Sequence, residues 1–114
     1  MNRRELGCPG HFICAASCRY RRHTQVAGYR ISTVGELFYS NDPKRQTVGV
    51  GEKDFYETMV FATTNKAAVG SEGCGCKETK DWDGIEQIRN ETAGAAHRTH
   101  ERMVHKYMKN GEKT

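Results

Sequence analysis

The spacing of apolar and polar residues changes character along this chain. "GYRISTV", residues 28–34, is dense in Tyr, Ile, Thr and Val, and "YETMVF", residues 56–61, begins like a strand with Met59 and Phe61 making one side apolar. Both suit extended strands, where successive side chains point to opposite faces. On that rule Tyr56, Thr58 and Val60 share one face, and Glu57, Met59 and Phe61 share the other. From residue 92 the period lengthens. Ala93, Ala96, His100, Met103, Val104, Tyr107 and Met108 follow the three-and-four spacing of an amphipathic helix. Thr92 is placed to cap its first turn, Lys106 and Lys109 suit its C-terminal dipole, and Gly111 is placed to end it.

The intervening stretches fill in an order of elements. Cys18–Val26 and Tyr29–Phe38 read as an antiparallel hairpin, joined at "VAG" with Gly28 supplying a positive φ. "SNDPKR", residues 40–45, has turn chemistry. "QTVGVGEKDF" carries a short strand interrupted by Gly49 and Gly51, and a short helix is expected from Asp83 with Glu86 completing its cap. Residues 1–11 read as an extended arm, and residues 62–82 as a flexible loop containing Gly and Cys. No internal repeat is present. The expected fold is α+β over residues 1–114, one compact domain in which a small antiparallel sheet packs against one main C-terminal helix.

Composition tightens this picture. At 114 residues, 36% hydrophobic and 28% charged, the chain makes one small core, with loops or help from a partner or metal. No run of eighteen apolar residues exists, and the N-terminus lacks the apolar region of a signal peptide. The expected location is therefore the cytoplasm, where the five cysteines stay reduced. The net charge of +4 is uneven: +5 over residues 1–50, −3 over 51–90 and +2 over 91–114. A basic first half can face nucleic acid or an acidic protein surface.

Candidate chemistry concentrates in a few places. Cys8, His11, Cys14 and Cys18 follow C-x2-H-x2-C-x3-C, four ligands of the kind zinc takes in a tetrahedral site. The spacing departs from that of zinc fingers, and the competing reading makes Cys14 and Cys18 small buried apolar groups. His23 or the Cys74/Cys76 pair are alternative ligands; "CGC" without a thioredoxin-like context reads first as a loop with two thiols. Arg19, Tyr20, Arg21 and Arg22 hold the densest positive charge, with Arg19, Arg21 and His23 on one strand face and Tyr20 and Arg22 on the other. An acidic partner is expected to dock there. His100 falls on the apolar stripe of the helix and reads as a core histidine; His97 and His105 read as surface groups. Glu57 is expected to pair with an arginine of a neighbouring strand rather than to act as a catalytic acid. No phosphate-binding loop, nucleophile elbow or dinucleotide fingerprint is present, and no catalytic residue is assigned.

"YRISTV", "YETMVF" and "AAHRTHERMV" occur in an order and spacing that resembles a family of small phage- and prophage-encoded proteins of uncharacterised function. In that family a "VSTV" strand precedes "YETMVF", and a T-x-x-x-A-x-x-x-H-x-x-M-V helix follows. Here that helix pattern falls on Thr92, Ala96, His100, Met103 and Val104. "GCPGHF" and "CRYRRHTQV" belong to the same likeness, whereas "SEGCGCKE" departs from it. The resemblance implies a phage accessory protein in a bacterial host cell. Its expected role is non-enzymatic: inhibition of a host defence system by binding a host protein, as an anti-CRISPR protein does. The alternative is a small zinc-dependent nucleic-acid-binding protein.

Overall fold

A computed structural model describes residues 3–6, 18–38, 43–48, 51–67, 77–80 and 83–112. Its elements in chain order are β1 (Arg3–Leu6), β2 (Cys18–Val26), β3 (Tyr29–Leu37), β4 (Tyr56–Ala67), β5 (Lys77–Thr79), β6 (Glu86–Asn90) and α1 (Ala93–Glu112). The strands form one antiparallel sheet in the order β1-β2-β3-β4-β5, with β6 also on β4. The α+β architecture expected from the residue pattern is the architecture found.

The β2–β3 hairpin sits where the alternation places it, with Val26 opposite Tyr29 and Arg22 opposite Thr33. Its turn differs from expectation: Ala27 takes the positive φ, 49°, and Gly28 does not. β4 is the centre of the sheet. It pairs with β3 along one edge, while β6 lies against its first half and β5 against its second. Part of the expected loop over 62–82 is therefore sheet: β4 continues to Ala67, and Lys77–Thr79 returns to pair with it. The rest of that loop, with Cys74 and Cys76, lies outside the described residues, as do Cys8, His11 and Cys14. The expected short helix from Asp83 is instead strand β6, fixed by pairing such as Glu57 with Arg89. Among the described residues, the expected strand near residue 46 is a single bridge, Leu37 to Gln46.

One face of the sheet carries α1. The sequence periodicity explains why: Val26, Ile31 and Val60 meet Met103, Val104 and Tyr107 in one buried cluster, with Tyr29, Ile88 and Met108 around it. Ala96 is fully buried, whereas Ala93 is exposed. Thr92 caps the helix, its Oγ1 accepting from the Ala95 N–H at 3.2 Å. The helix runs on through Glu112 rather than ending at Gly111. At the far end of the same sheet face, Gly35 lies between Tyr20 on β2 and Tyr56 on β4. The two rings meet edge to face at 5.3 Å. A Cβ on Gly35 would lie 2.2 Å from the Tyr56 ring, so only glycine fits beneath it.

On the opposite face Arg30, Phe61, Thr63 and Gln25 are buried. Arg30 spans β4 to reach β5, donating to the Lys77 carbonyl and to Thr79 Oγ1, with its guanidinium 5.2 Å from the Phe61 ring centre. Gln25 donates to Thr63 Oγ1 at 2.9 Å.

Candidate interaction surface and the internal histidine

The arrangement closest to catalytic machinery lies under α1. His100 is fully buried, with Nε2 2.8 Å from Thr24 Oγ1 and Nδ1 2.7 Å from Thr33 Oγ1. Thr24 donates onward to Glu5 Oε2 at 2.7 Å, and Thr33 lies 2.7 Å from Thr58 Oγ1. Counting hydrogens fixes the direction of the whole chain. A hydroxyl has one hydrogen and a carboxylate has none. Thr24 spends its hydrogen on Glu5, so its oxygen accepts the Nε2–H of His100. A neutral imidazole then accepts at Nδ1, so Thr33 donates to it. The Thr33 oxygen in turn accepts from Thr58. Every polar hydrogen in the chain is committed, from Thr58 through Thr33, His100 and Thr24 to Glu5.

The titration of these groups follows from their surroundings. Burial, helped by the Arg22 charge, lowers His100 to about 4, so the ring is neutral at pH 7. Burial pushes Glu5 upward, but hydrogen bonds from Thr24 and Arg3 and the nearby arginine charges outweigh it and leave the carboxyl lowered. Thr24 and Thr33 are fully buried and Thr58 nearly so, which leaves a substrate no approach to the ring nitrogens. The chain is a polar cross-link between α1 and four strands, β1 to β4.

At the rim of this cross-link, Glu101 accepts from Arg3 at 2.7 Å and from Arg22 at 3.0 Å. The hydrogen bond from Arg3 is the largest of the influences that lower Glu101 to about 2. Arg22 Nη1 also lies 2.9 Å from His97 Nδ1. At the other end of the helix, Glu86 on β6 accepts from the Tyr107 hydroxyl at 2.6 Å and pairs with Lys106.

The four residues expected to dock a partner separate in the structure. Arg22 is drawn beneath the helix rim by Glu101, and Tyr20 packs on Tyr56. Arg19 is exposed, with its guanidinium 4.0 Å from the Phe38 ring centre. Arg21 is exposed on the opposite sheet face, beside the buried His23. Of Cys8, His11, Cys14 and Cys18 only Cys18 is among the described residues, buried against Val34, Leu37 and Val48, and the alternative ligand His23 is buried on β2. Among the described residues, no group of three His, Cys, Asp or Glu side chains is placed to hold a metal. Glu57 accepts from Arg89 at 3.1 Å and from Gln87 at 2.9 Å, both on β6, so it does pair with a neighbouring-strand arginine.

Among the described residues, a row of exposed cations lies elsewhere. Arg98, Arg102, His105 and Lys109 occupy one outward line of α1, opposite its buried stripe, and all four are exposed. None of them makes an ion pair with a described side chain, although the Arg102 charge helps to lower Glu86. Two acids near the line, Glu101 and Glu86, already hold Arg3, Arg22 and Lys106. A shallow, open depression runs beside Arg102, His105, Lys106, Lys109 and Asn110. Reading the helix for its apolar stripe missed this row. The same three-and-four rule applied to the cations would have found it.

Comparison of the chain with protein-family models, with curated proteins and with solved structures finds no match in any of the three. Among the described residues no helix is long and apolar enough to cross a membrane.

Proposed function

We propose that this protein is a non-enzymatic docking protein that works by occupying an acidic surface of a partner. The distribution of its polar groups supports this reading. The histidine that resembles catalytic machinery has both nitrogens spent inside the fold. Three arginines and lysines in one row are presented outward instead. The resemblance to phage accessory proteins makes a protein of a bacterial defence system the first partner to test, with an anti-CRISPR mode of inhibition. Nucleic acid is the second reading, and the helix row favours it.

The test is capture from a bacterial lysate with the folded chain as bait, followed by reconstitution with the purified partner. Stoichiometric binding that suppresses the partner's activity supports the reading. Turnover of any substrate by the chain alone, abolished by a single substitution that leaves the fold intact, would overturn it.

A further inference from the structure

We infer that the outward face of α1 is a docking site for the phosphate backbone of double-stranded nucleic acid. The inference rests on the docking reading above and names the partner of one surface. Arg98, Arg102, His105 and Lys109 follow i, i+4, i+7, i+11. At 1.5 Å per residue this row is about 16 Å long and straight. It can therefore follow several successive phosphates of one backbone strand. Two of its members are arginines, whose planar fork holds a phosphate bidentately.

The composition of the face chooses between partner classes. Protein interfaces centre on aromatic or aliphatic anchors in desolvated pockets. The four outward residues offer none, and Ile85, the one exposed large apolar side chain among the described residues, lies off the helix. Single-stranded nucleic acid calls for aromatic platforms on which bases stack. The row lacks these as well. Cations alone suit a duplex, where phosphates are the outermost groups and contacts to them carry no sequence information. The face is also held rigidly. The His100 chain, the Glu101 pairs and the Glu86 pairs hold α1 to the sheet, so the helix that carries the row is fixed in place before it binds.

The test uses the full chain and a short mixed-sequence DNA duplex, followed by fluorescence anisotropy over rising salt. Two double charge reversals change the net charge equally: Arg98→Glu with Arg102→Glu on the helix, and Arg19→Glu with Arg21→Glu on β2. The neutral pair Arg98→Gln with Arg102→Gln serves if the helix reversal disturbs the circular dichroism spectrum. Wild type should bind with a log–log salt slope of about −3, one for each fixed cation of the row. The helix variants should lose at least about tenfold in affinity and bring the slope to about −1, whereas the β2 variant should keep its slope. Equal losses in both reversals would show a general charge effect and overturn the site. Absence of duplex binding by wild type would also overturn it. If a purified protein partner is still bound in that case, the docking reading stands; if none is bound, both fall.

Discussion

At the scale of single residues, backbone conformation and close contacts set what each position tolerates. Ala27 holds a left-handed φ of 49° at the hairpin turn. That conformation costs a residue with a Cβ about 1–2 kcal/mol, and glycine's extra unfolded freedom offsets only part of it. Ala27→Gly is expected to raise stability by about 0.5 kcal/mol, read from the urea midpoint. Gly35 works the other way. Gly35→Ala must displace the Tyr56 ring, whose hydroxyl donates to Glu36 at 2.8 Å, and a loss of about 1–3 kcal/mol is expected. His100 makes the sharpest residue-scale prediction. Nitrogen-15 NMR at pH 7 should find a neutral ring with its proton on Nε2; a proton on Nδ1 would reverse the direction of the hydrogen-bond chain. His100→Leu leaves the Thr24 and Thr33 hydroxyls short of a partner and should cost about 2–4 kcal/mol.

At the scale of elements, legibility followed locality. The β2–β3 hairpin is coded by a run of strand-forming residues on each side of a short turn, so its pairing was readable. Helix α1 is coded by a periodic stripe, six of whose seven residues are wholly or partly buried, and by a threonine cap, and it too was readable. Strand β6 was not. "DGIEQIRN" is short, its Ile85 and Ile88 are three apart as in a helix, and Glu86 imitates a cap partner. Its strand identity comes from an edge of β4, some thirty residues away in sequence. β5 is only three residues long and owes its state to the same edge. The His100 chain was invisible for the same reason, since Thr24 and Thr33 lie 76 and 67 residues from it. The helix packing is testable directly. Met103 is 4% exposed within the central cluster. Met103→Asp buries an unpaired charge and should cost several kcal/mol, on the order of 4 or more, or unfold the chain. An unchanged thermal midpoint would contradict the packing of α1.

At the scale of the whole molecule, two layers divide the work. The sheet and the inner side of α1 hold the fold, and the outer side of α1 holds its charge outward. The pH dependence of stability reports the first part. His100 titrates at about 4 when folded and near 6.5 when unfolded. Between those values the unfolded state binds more protons, so stability rises with pH. The contribution is complete above about pH 6.5 and is lost as the pH falls toward 4. It amounts to about 3 kcal/mol if the full difference is realised. His23, also lowered to about 4 by burial and by Arg30 and Arg21, acts in the same direction. Urea unfolding at a series of pH values should show a steep loss between pH 6.5 and 4. Stability that is flat across that range would mean that the histidines are solvated.

The outward charge is tested most directly by adding duplex DNA to the nitrogen-15-labelled protein and following the amide resonances. The structure predicts that shifts concentrate on residues 98–109 of α1, with the interior of β2 and β3 unmoved, and that they vanish as salt rises. Shifts centred on the β2 arginines, or no shifts at low salt, would contradict the helix face as the docking surface.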